Sequence, residues 1–378
     1  MGLVELTEAY PWDQLAPYAQ RAGEHRGGLV DLSIGTPVDA TPPALQSVLT
    51  AAANAPGYPT AHGSAQLRGA IADWFARTRG VPEVDPEAVL PTIGSKEIVA
   101  LLPSLLGLGP GDAVVVPSTA YPTYAVGARL AGADVIATDD VEQWAGNPAV
   151  ALVWVNSPSN PTGQVREVAQ LRAVVEAARD LGAIVASDEC YAALAWHEPW
   201  LTSPVPSVLD PRVAGGSHTG LLAAYSLSKQ SNLAGYRAAF LAGDGELVAR
   251  LLLMRRHIGM MLPAPVQAVM LAAISDDDHV QQQRERYRAR REALLPALEQ
   301  AGFVVDHSEA GLYLWARPAA SAPLAGGDCW STLAHLADRG VLVGPGIFYG
   351  EQGAGHVRIA LTATDSDIAA AVERLSAG

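Results

Sequence analysis

Lysine is rare in this chain, and one of its two lysines stands where covalent chemistry is possible. Only Lys96 and Lys229 are lysines among the 25 Lys and Arg side chains. Lys229 follows an apolar run, 221–225, that is typical of a buried strand. A buried ammonium is costly unless it is paired or neutralised, and an amine near neutrality can form a Schiff base with an aldehyde, which arginine cannot do. Because an arginine-rich composition could leave a lysine there by chance, the neighbouring residues must decide.

Polar side chains follow several other strand patterns at their carboxyl ends. Tyr121 comes after the apolar segment 113–116, Asn160 after 150–155, and Asp188 after 183–186. Ligands of open parallel sheets bind at the carboxyl ends of the strands. We therefore expect these side chains and Lys229 to line one edge of one sheet, an agreement that independent surface loops would not require.

These residue types match what a pyridoxal phosphate enzyme needs. Asp188 could keep the pyridinium nitrogen protonated, so that the ring accepts electrons, although a turn aspartate is the simpler interpretation of Asp188 taken alone. Asn160 or Tyr191 could contact the ring hydroxyl, and Tyr121 could lie against the ring face. Lys229 would then hold the aldehyde and move a proton.

Two further patterns suggest sites for anions. The segment Gly94-Ser95 opens a helix, as in many phosphate sites, although an ordinary N-cap is the alternative; Lys96 stands in the first turn, where the helix dipole disfavours a cation unless an anion is bound. Arg358 lies inside an apolar strand and could hold a substrate carboxylate through two hydrogen bonds, or form a structural salt bridge. The candidate phosphate group comprises Gly94, Ser95, Ser226, Ser228 and Arg237.

Composition excludes several other classes of function. The net charge of −14 argues against a general nucleic-acid or membrane-surface binder. The nine histidines show no paired spacing of a zinc site, and Cys190 and Cys329 form no disulfide framework. Neither a signal peptide nor a membrane-spanning run is recognisable. The sequence predicts a soluble cytoplasmic protein that binds no metal.

Alternating strand and helix patterns predict the architecture. Between 113 and 242 they indicate a parallel sheet with helices on both faces, and the later part of the chain suits a smaller α+β domain. We expect residues 1–40 to form an N-terminal arm and part of the small domain, 41–258 the large domain, and 259–378 the small C-terminal domain. The basic run 284–291 is expected to be a solvated helix face.

Three motifs, in this order and spacing, resemble the signature of the fold type I, class I aminotransferases, which use pyridoxal 5'-phosphate. The resemblance extends along nearly the whole chain. It implies an α/β fold with a mostly parallel seven-stranded sheet between helices, a smaller α+β domain, and amino-acid and keto-acid substrates. The motifs are Asn160-Pro161-Thr162-Gly163, Ser187-Asp188-Glu189-Cys190-Tyr191, and Ser226-Leu227-Ser228-Lys229 followed by Arg237.

The resemblance also implies individual roles at the cofactor. Lys229 would be the Schiff-base lysine and Asp188 the partner of the pyridinium nitrogen. Asn160 and Tyr191 would contact the ring hydroxyl, and Tyr121 would stack on the ring. The residues implied around the phosphate are Gly94, Ser95, Lys96, Ser226, Ser228 and Arg237.

Substrate contacts and assembly follow from the same resemblance. Gly35, Asn160 and Arg358 would meet the carboxylate end of the substrate. Tyr58 would reach the phosphate in the neighbouring subunit, which implies an obligate homodimer with shared active sites.

A narrower set of segments resembles the actinobacterial-type succinyldiaminopimelate transaminases of lysine biosynthesis; these segments are 31–39, 156–160, 256–261 and 311–315. The implied reaction moves an amino group between glutamate and N-succinyl-LL-2,6-diaminopimelate in the diaminopimelate pathway. Three alternatives stay open: another class I aminotransferase of the aspartate, alanine or LL-diaminopimelate type, a carbon–sulfur β-lyase with the same cofactor, and a non-catalytic regulatory protein on the same fold.

Overall fold

The computed structural model of the protein describes residues 10–377. Its strands are β1 Val30–Asp31, β2 Val89–Ile93, β3 Ala113–Val116, β4 Asp134–Ala137, β5 Val150–Asn156, β6 Ile184–Asp188, β7 Leu221–Ser226, β8 Ala238–Gly243, β9 Phe303–Asp306, β10 Tyr313–Pro318, β11 Val341–Leu342, β12 Gly344–Pro345 and β13 Val357–Ala360. Its α-helices are α1 Ala16–Gly23, α2 Pro43–Ala51, α3 Ala65–Arg79, α4 Ser95–Leu105, α5 Thr123–Ala131, α6 Val168–Leu181, α7 Pro211–Ala214, α8 Leu227–Gln230, α9 Gly245–Ile258, α10 Ala264–Ile274, α11 Asp278–Gln300, α12 Cys329–Asp338 and α13 Asp365–Ser376.

A seven-stranded sheet forms the centre of the larger part of the molecule. Its strand order is β2-β8-β7-β6-β5-β3-β4. Neighbouring strands pair in parallel from β7 to β4, whereas β8 is antiparallel to both of its neighbours. The predicted α/β class with a mostly parallel seven-stranded sheet is confirmed, and the sheet also contains β2, a strand that the sequence patterns did not indicate.

Both faces of this sheet are covered, which explains why its strands are nearly continuous apolar runs. Side chains alternate between two cores along β5: Val153 and Val155 belong to one core, and Leu152 and Trp154 to the other. This alternation is the two-residue period of an extended strand. Helices α2, α3, α6 and α10 contribute to the first core, and α4, α5 and α9 to the second.

The two ends of the chain meet in a smaller unit. Strand β1 pairs in parallel with β11, with Val30 opposite Val341. Beside this pair stands an antiparallel sheet in the order β12-β13-β10-β9, and the helices α1, α11, α12 and α13 contribute to the same part of the structure. The division of the chain after residues 40 and 258 stays a prediction.

The basic run in α11 is not a uniformly solvated face, so that prediction was wrong for its last part. The side chain of Arg290 is only 3% exposed, and that residue pairs with Asp39 and Asp365. Arg291 is also buried. The partners of Arg290 lie 251 and 75 residues away, so nothing in the local pattern indicates them.

The aromatic arm before α1 packs on the rest of the protein. The ring of Trp12 lies 5.4 Å from that of Phe348 and 6.1 Å from that of Tyr121, measured between centroids. Within residues 10–377, none of the helices is long and apolar enough to cross a membrane, and no cluster of three or more His, Cys, Asp or Glu side chains could bind a metal ion.

Candidate active site

A cavity of about 380 Å³ opens at the carboxyl edge of the parallel strands. Most of the predicted site residues come together in its wall. They are Gly35, Ser95, Lys96, Tyr121, Asn160, Asp188, Tyr191, Ser226, Ser228, Lys229, Arg237 and Arg358.

Sheet topology explains this convergence. Strands β5, β6 and β7 are parallel neighbours, with Asn156 directly opposite Asp188, so their carboxyl ends share one edge. Arg237 precedes β8 rather than following a strand. Because β8 is antiparallel to β7, its first residue lies at this same edge, opposite the end of β7.

Lys229 lies on a single helical turn that begins where β7 ends. Ser226 caps this turn by accepting a hydrogen bond from the backbone N–H of Ser228. The ammonium of Lys229 donates a hydrogen bond to the backbone carbonyl of Gly35. Burial lowers the pKa of Lys229, which increases the share of the neutral, nucleophilic amine.

Asp188 is held by a tyrosine that the sequence patterns did not indicate. The hydroxyl of Tyr124 donates a 2.8 Å hydrogen bond to one carboxylate oxygen, and the backbone N–H of Cys190 donates a 3.2 Å bond to the other. Burial, followed by the charge of Asp188, raises the pKa of Tyr124 well above its usual value. The phenol therefore stays a donor, and it fixes the direction of the carboxylate.

Asn156, the last residue of β5, positions Asn160. Its side-chain oxygen accepts a 2.7 Å hydrogen bond from the backbone N–H of Asn160, and its side-chain nitrogen donates a 3.0 Å bond to the backbone carbonyl of Asp188. The loop after β5 is thereby joined to the end of β6. The position of Asn156 at the end of a strand could have identified it as a candidate site residue. Its hydrogen bonds to the backbone of Asn160 and Asp188 could not be predicted from the sequence.

Tyr191 and Tyr313 face each other in the cavity with their hydroxyl oxygens 3.3 Å apart. Burial raises the pKa of Tyr191 well above its usual value. Burial would also raise the pKa of Tyr313, but the charges of Arg358 and Lys229 and the hydrogen bond with Tyr191 outweigh it, so the pKa of Tyr313 is lowered. Tyr313 was missed because it lies within a strand of the small sheet, far along the chain.

An anion cradle lies at the start of α4. Gly94 has a φ of 76°, and a Cβ at this position would overlap the guanidinium of Arg237. Only glycine therefore allows Arg237 to lie against the helix N-terminus. The hydroxyls of Ser226 and Ser228 are 2.8 Å apart in the same wall. A helix start, hydroxyls and a guanidinium together form a donor set suited to a phosphate.

Arg358 is a buried cation whose charge has no acidic partner in the range 10–377. It is 3% exposed, and its guanidinium donates to the backbone carbonyl of Ser33 at 2.7 Å and to the side-chain oxygen of Asn160 at 2.9 Å. Its Nε has no hydrogen-bond partner in the same range. The guanidinium carbon lies 4.0 Å from the centre of the Tyr313 ring. This arrangement leaves the positive charge available to a substrate carboxylate.

Lys96 and Tyr58 are two exposed residues of the predicted set. The ammonium of Lys96 lies at the mouth of the cavity, 5.4 Å from the ring centre of Tyr121 and 5.8 Å from that of Tyr10. Tyr58 is not in the cavity wall; it is 96% exposed in the loop between α2 and α3.

Comparison with known proteins identifies the family. Residues 28–375 match the family model described as aminotransferase class I and II. The chain is a member of this family. The class I and II aminotransferases use pyridoxal 5'-phosphate, so that is the cofactor of this aminotransferase, and its substrates are amino acids and keto acids.

Three similar proteins illustrate the relationship. Over 375 residues the chain is 57% identical to the probable aminotransferase Rv1178 of Mycobacterium tuberculosis, covering 99% of this chain and 87% of that one. It is 54% identical over 372 residues to OxyQ of Streptomyces rimosus, described as a 4-dedimethylamino-4-oxo-anhydrotetracycline transaminase, with 98% and 99% coverage. A solved structure described as a probable N-succinyldiaminopimelate aminotransferase from Thermus thermophilus superposes with a TM-score of 0.84 at 28% identity, covering 97% of this chain and 99% of that one.

The residues of the cavity fit this cofactor. The anion cradle at the start of α4, with the hydroxyls of Ser226 and Ser228 and the guanidinium of Arg237, suits its phosphate. The oriented carboxylate of Asp188 suits a protonated ring nitrogen. Lys229, whose amine has a lowered pKa, lines the same cavity. When bound, the cofactor withdraws electrons from the substrate's α-carbon. The residues of the cavity would hold it, and Lys229 Nζ would supply a base for the proton.

Proposed function

We propose that this aminotransferase transfers the amino group of N-succinyl-LL-2,6-diaminopimelate to 2-oxoglutarate, and the reverse, in the diaminopimelate pathway of lysine biosynthesis. The observation that carries the proposal is Lys96, a cation of the cavity wall in addition to Lys229, Arg237 and Arg358. Arg237 belongs to the phosphate cradle and Arg358 suits an α-carboxylate, whereas Lys96 at the mouth has no ion-pair partner within residues 10–377. A substrate with a second, distal carboxylate would use that charge.

Two further findings support this choice. The similar structure from Thermus thermophilus carries the description of a probable N-succinyldiaminopimelate aminotransferase. The mouth of the cavity also presents the rings of Tyr10, Trp12 and Tyr121, against which the methylene chain of a long substrate can pack. Glutamate, the proposed donor, carries a distal carboxylate as well, so one cation would serve both half-reactions.

Within this proposal each residue has a defined task. Arg358 binds the α-carboxylate and so orients the α-carbon towards Lys229. Lys229 then takes the proton from that carbon and returns it on the other side of the transferred nitrogen. The ring of Tyr121 covers one side of the site and helps to exclude water.

The test is a comparison of kcat/KM across substrates. With 2-oxoglutarate as acceptor, N-succinyl-LL-diaminopimelate should exceed free LL-diaminopimelate, aspartate and alanine by roughly tenfold or more, as expected of a hydrogen bond to a charged group. Replacing Lys96→Met should lower kcat/KM for the succinylated substrate by a similar factor but change that for alanine much less. A preference for alanine or aspartate would overturn the proposed substrate, and pyruvate release from cysteine conjugates would instead indicate a β-lyase.

A second candidate is transamination of a large polycyclic ketone. It is favoured by the 54% identity to OxyQ and by the same aromatic mouth. Adding 4-dedimethylamino-4-oxo-anhydrotetracycline to the substrate panel, with glutamate as donor, distinguishes the two. A higher kcat/KM for this ketone than for the succinylated keto acid would select the second candidate.

We also propose that the active enzyme is a homodimer in which the partner subunit's Tyr58 reaches the cofactor phosphate. Tyr58 is 96% exposed, and α9 exposes Leu253 at 55% and Ile258 at 51%. Several large apolar side chains exposed on one surface helix are a feature of protein–protein interaction sites.

A further inference from the structure

A second cavity, of about 300 Å³, lies behind the strand ends that carry the active-site residues. Its wall includes Tyr225 and Gln230, which are the chain neighbours of Ser226 and Lys229. The hydroxyl of Tyr225 donates a hydrogen bond to the side-chain oxygen of Gln230 at 2.5 Å. The residues that line this cavity differ from those that line the active-site cavity, although both walls use neighbouring positions of the chain.

A buried arginine faces this cavity with unused donors. Arg79, the last residue of α3, is 3% exposed. Its Nη2 lies 2.9 Å from a carboxylate oxygen of Glu189 and donates to the backbone carbonyl of Val205 at 3.2 Å. Its Nε and Nη1 have no hydrogen-bond partner within residues 10–377. A buried donor without a partner destabilises the folded state, and more so when it is charged, so an acceptor supplied by a ligand would be stabilising.

The balance of charge around the cavity favours an anion. Arg284 of α11 also lines it, and its buried Nε has no hydrogen-bond partner in the described range. The one acid in the wall, Asp277, is already held by Arg77 through two hydrogen bonds of 2.9 and 3.1 Å. Glu189, which is not part of the wall, forms an ion pair with Arg79 at 2.9 Å. Within residues 10–377, no acidic side chain of the wall therefore neutralises Arg284, and its charge is available to a ligand.

The rest of the wall indicates the shape of that ligand. The rings of Trp74 and Tyr225 lie 4.5 Å apart between centroids, and the guanidinium carbon of Arg79 lies within 6 Å of both, at 5.9 and 5.8 Å. Trp200 forms another part of the wall. A guanidinium beside aromatic rings suits a carboxylate attached to a flat apolar body.

We propose that the cavity between Arg79, Trp74 and Arg284 is a second ligand site, which takes a small aromatic monocarboxylate. Glu189, the ion-pair partner of Arg79, stands next to Asp188 in the chain and also accepts hydrogen bonds from the hydroxyl of Ser207 and the backbone N–H of Val208. A carboxylate bound at Arg79 would therefore complete a network that reaches the end of β6.

Benzoate is the probe for the experiment, and benzamide, its uncharged isostere, is the matched control ligand. Calorimetry is performed on the cofactor-loaded Arg358→Gln enzyme, in which the cation expected to bind carboxylates in the active site is absent. We expect one benzoate per chain and at least about tenfold weaker binding of benzamide, since the lost contact involves a charged hydrogen bond.

Variants then locate the site. Arg284→Gln should weaken benzoate binding by about tenfold, and the double variant Arg79→Met with Glu189→Gln, which removes the buried pair without leaving an unpaired charge, should abolish it. Arg288→Gln, one turn along α11 and outside the cavity, should leave it unchanged. Thermal unfolding and cofactor absorbance of each variant establish that it is folded.

Three results would overturn the proposal. The first is the absence of benzoate binding to the Arg358→Gln enzyme. The second is binding of benzamide as tight as that of benzoate. The third is benzoate affinity that is unchanged in both the Arg284→Gln variant and the folded double variant.

Discussion

The guanidinium of Arg358 donates a 2.9 Å hydrogen bond to the side-chain oxygen of Asn160, 198 residues earlier in the chain. Arg358 belongs to β13 of the small antiparallel sheet, and Asn160 to the loop after β5 of the large sheet. The residue suited to the substrate's carboxylate is thus in direct contact with a residue expected at the cofactor ring. If both residues act as proposed, this contact would couple the orientation of the substrate to that of the ring.

Replacement of Arg358 should impair substrate binding selectively. In Arg358→Gln we expect kcat/KM for glutamate to fall by about 100-fold or more, because truncating one partner of a buried charged pair costs about 2–5 kcal/mol. The visible absorbance of the bound cofactor should be retained. Steady-state kinetics and absorbance spectra check this, and an unchanged KM for glutamate would exclude Arg358 as the carboxylate ligand.

The two lysines provide a direct test of covalent attachment. Lys229→Ala should lose the visible absorbance of the lysine-linked cofactor, and its kcat should fall by about 1000-fold, within the range for loss of a positioned acid–base group. Lys96→Met should retain the absorbance. Absorbance spectra of the two purified variants distinguish the lysines. Loss of the band in Lys96→Met alone would show that the cofactor is attached to Lys96 and not to Lys229.

Tyr124→Phe removes the 2.8 Å hydrogen bond from the tyrosine hydroxyl to Asp188. We expect kcat to fall about tenfold, equivalent to about 1.4 kcal/mol, since the lost bond is made to a charged group. Tyr18, whose ring stacks on Trp330 at a centroid distance of 5.7 Å away from the cavity, supplies the control variant Tyr18→Phe. Equal activity of the two variants would show that Tyr124 does not support the carboxylate.

Asp39 should stabilise the protein in a pH-dependent way. Burial would raise its pKa, but hydrogen bonds from Arg290 and Gln283 outweigh it, so the pKa lies below the usual 3.8. The unfolded state therefore binds the proton more readily, and the stabilisation is full above about pH 3.8 and is lost as the pH falls through the lower folded value.

Urea unfolding of the wild type and of Asp39→Asn measures this effect. At about pH 7 the variant should be less stable by roughly 2 kcal/mol, a typical value for a hydrogen bond to a charged group. At about pH 3 the difference in unfolding free energy between the two proteins should shrink, because protonation of Asp39 removes the stabilisation that its carboxylate gives the wild type. A difference that stays constant between these pH values would contradict the assigned shift.

The proposed dimer predicts a link between assembly and activity. Leu253→Asp combined with Ile258→Asp should produce a monomer in sedimentation velocity with greatly reduced activity, because burying a charge in an apolar interface is costly. Tyr58→Phe should remain a dimer but bind the cofactor more weakly. Val304→Asp, at a residue that is 37% exposed on β9, is the control; a fully active monomer would refute shared active sites.

Much of the site could be predicted because its motifs are local. Asp188, Ser226 and Lys229 follow strands whose apolar patterns are visible over a few residues, and the rule for parallel sheets brings such ends together. The rarity of lysine suggested Lys229 as a candidate, and the motifs next to it in the chain supported its prediction as the Schiff-base lysine. Gly94 was predicted for its place at a helix start, whereas its steric reason, the approach of Arg237, appears only in three dimensions.

Sequence patterns alone indicated the fold class, the edge of the sheet where the candidate site lies and most of its residues, since strand periodicity and short motifs are properties of neighbouring residues. The contacts among distant segments emerged only from the three-dimensional structure. It brought Tyr124 to Asp188, Tyr313 to Arg358, and Arg79 to a cavity behind the site. Such pairs form because a packed core leaves each buried polar group few partners, and which partner is available depends on the whole chain rather than on any segment of it.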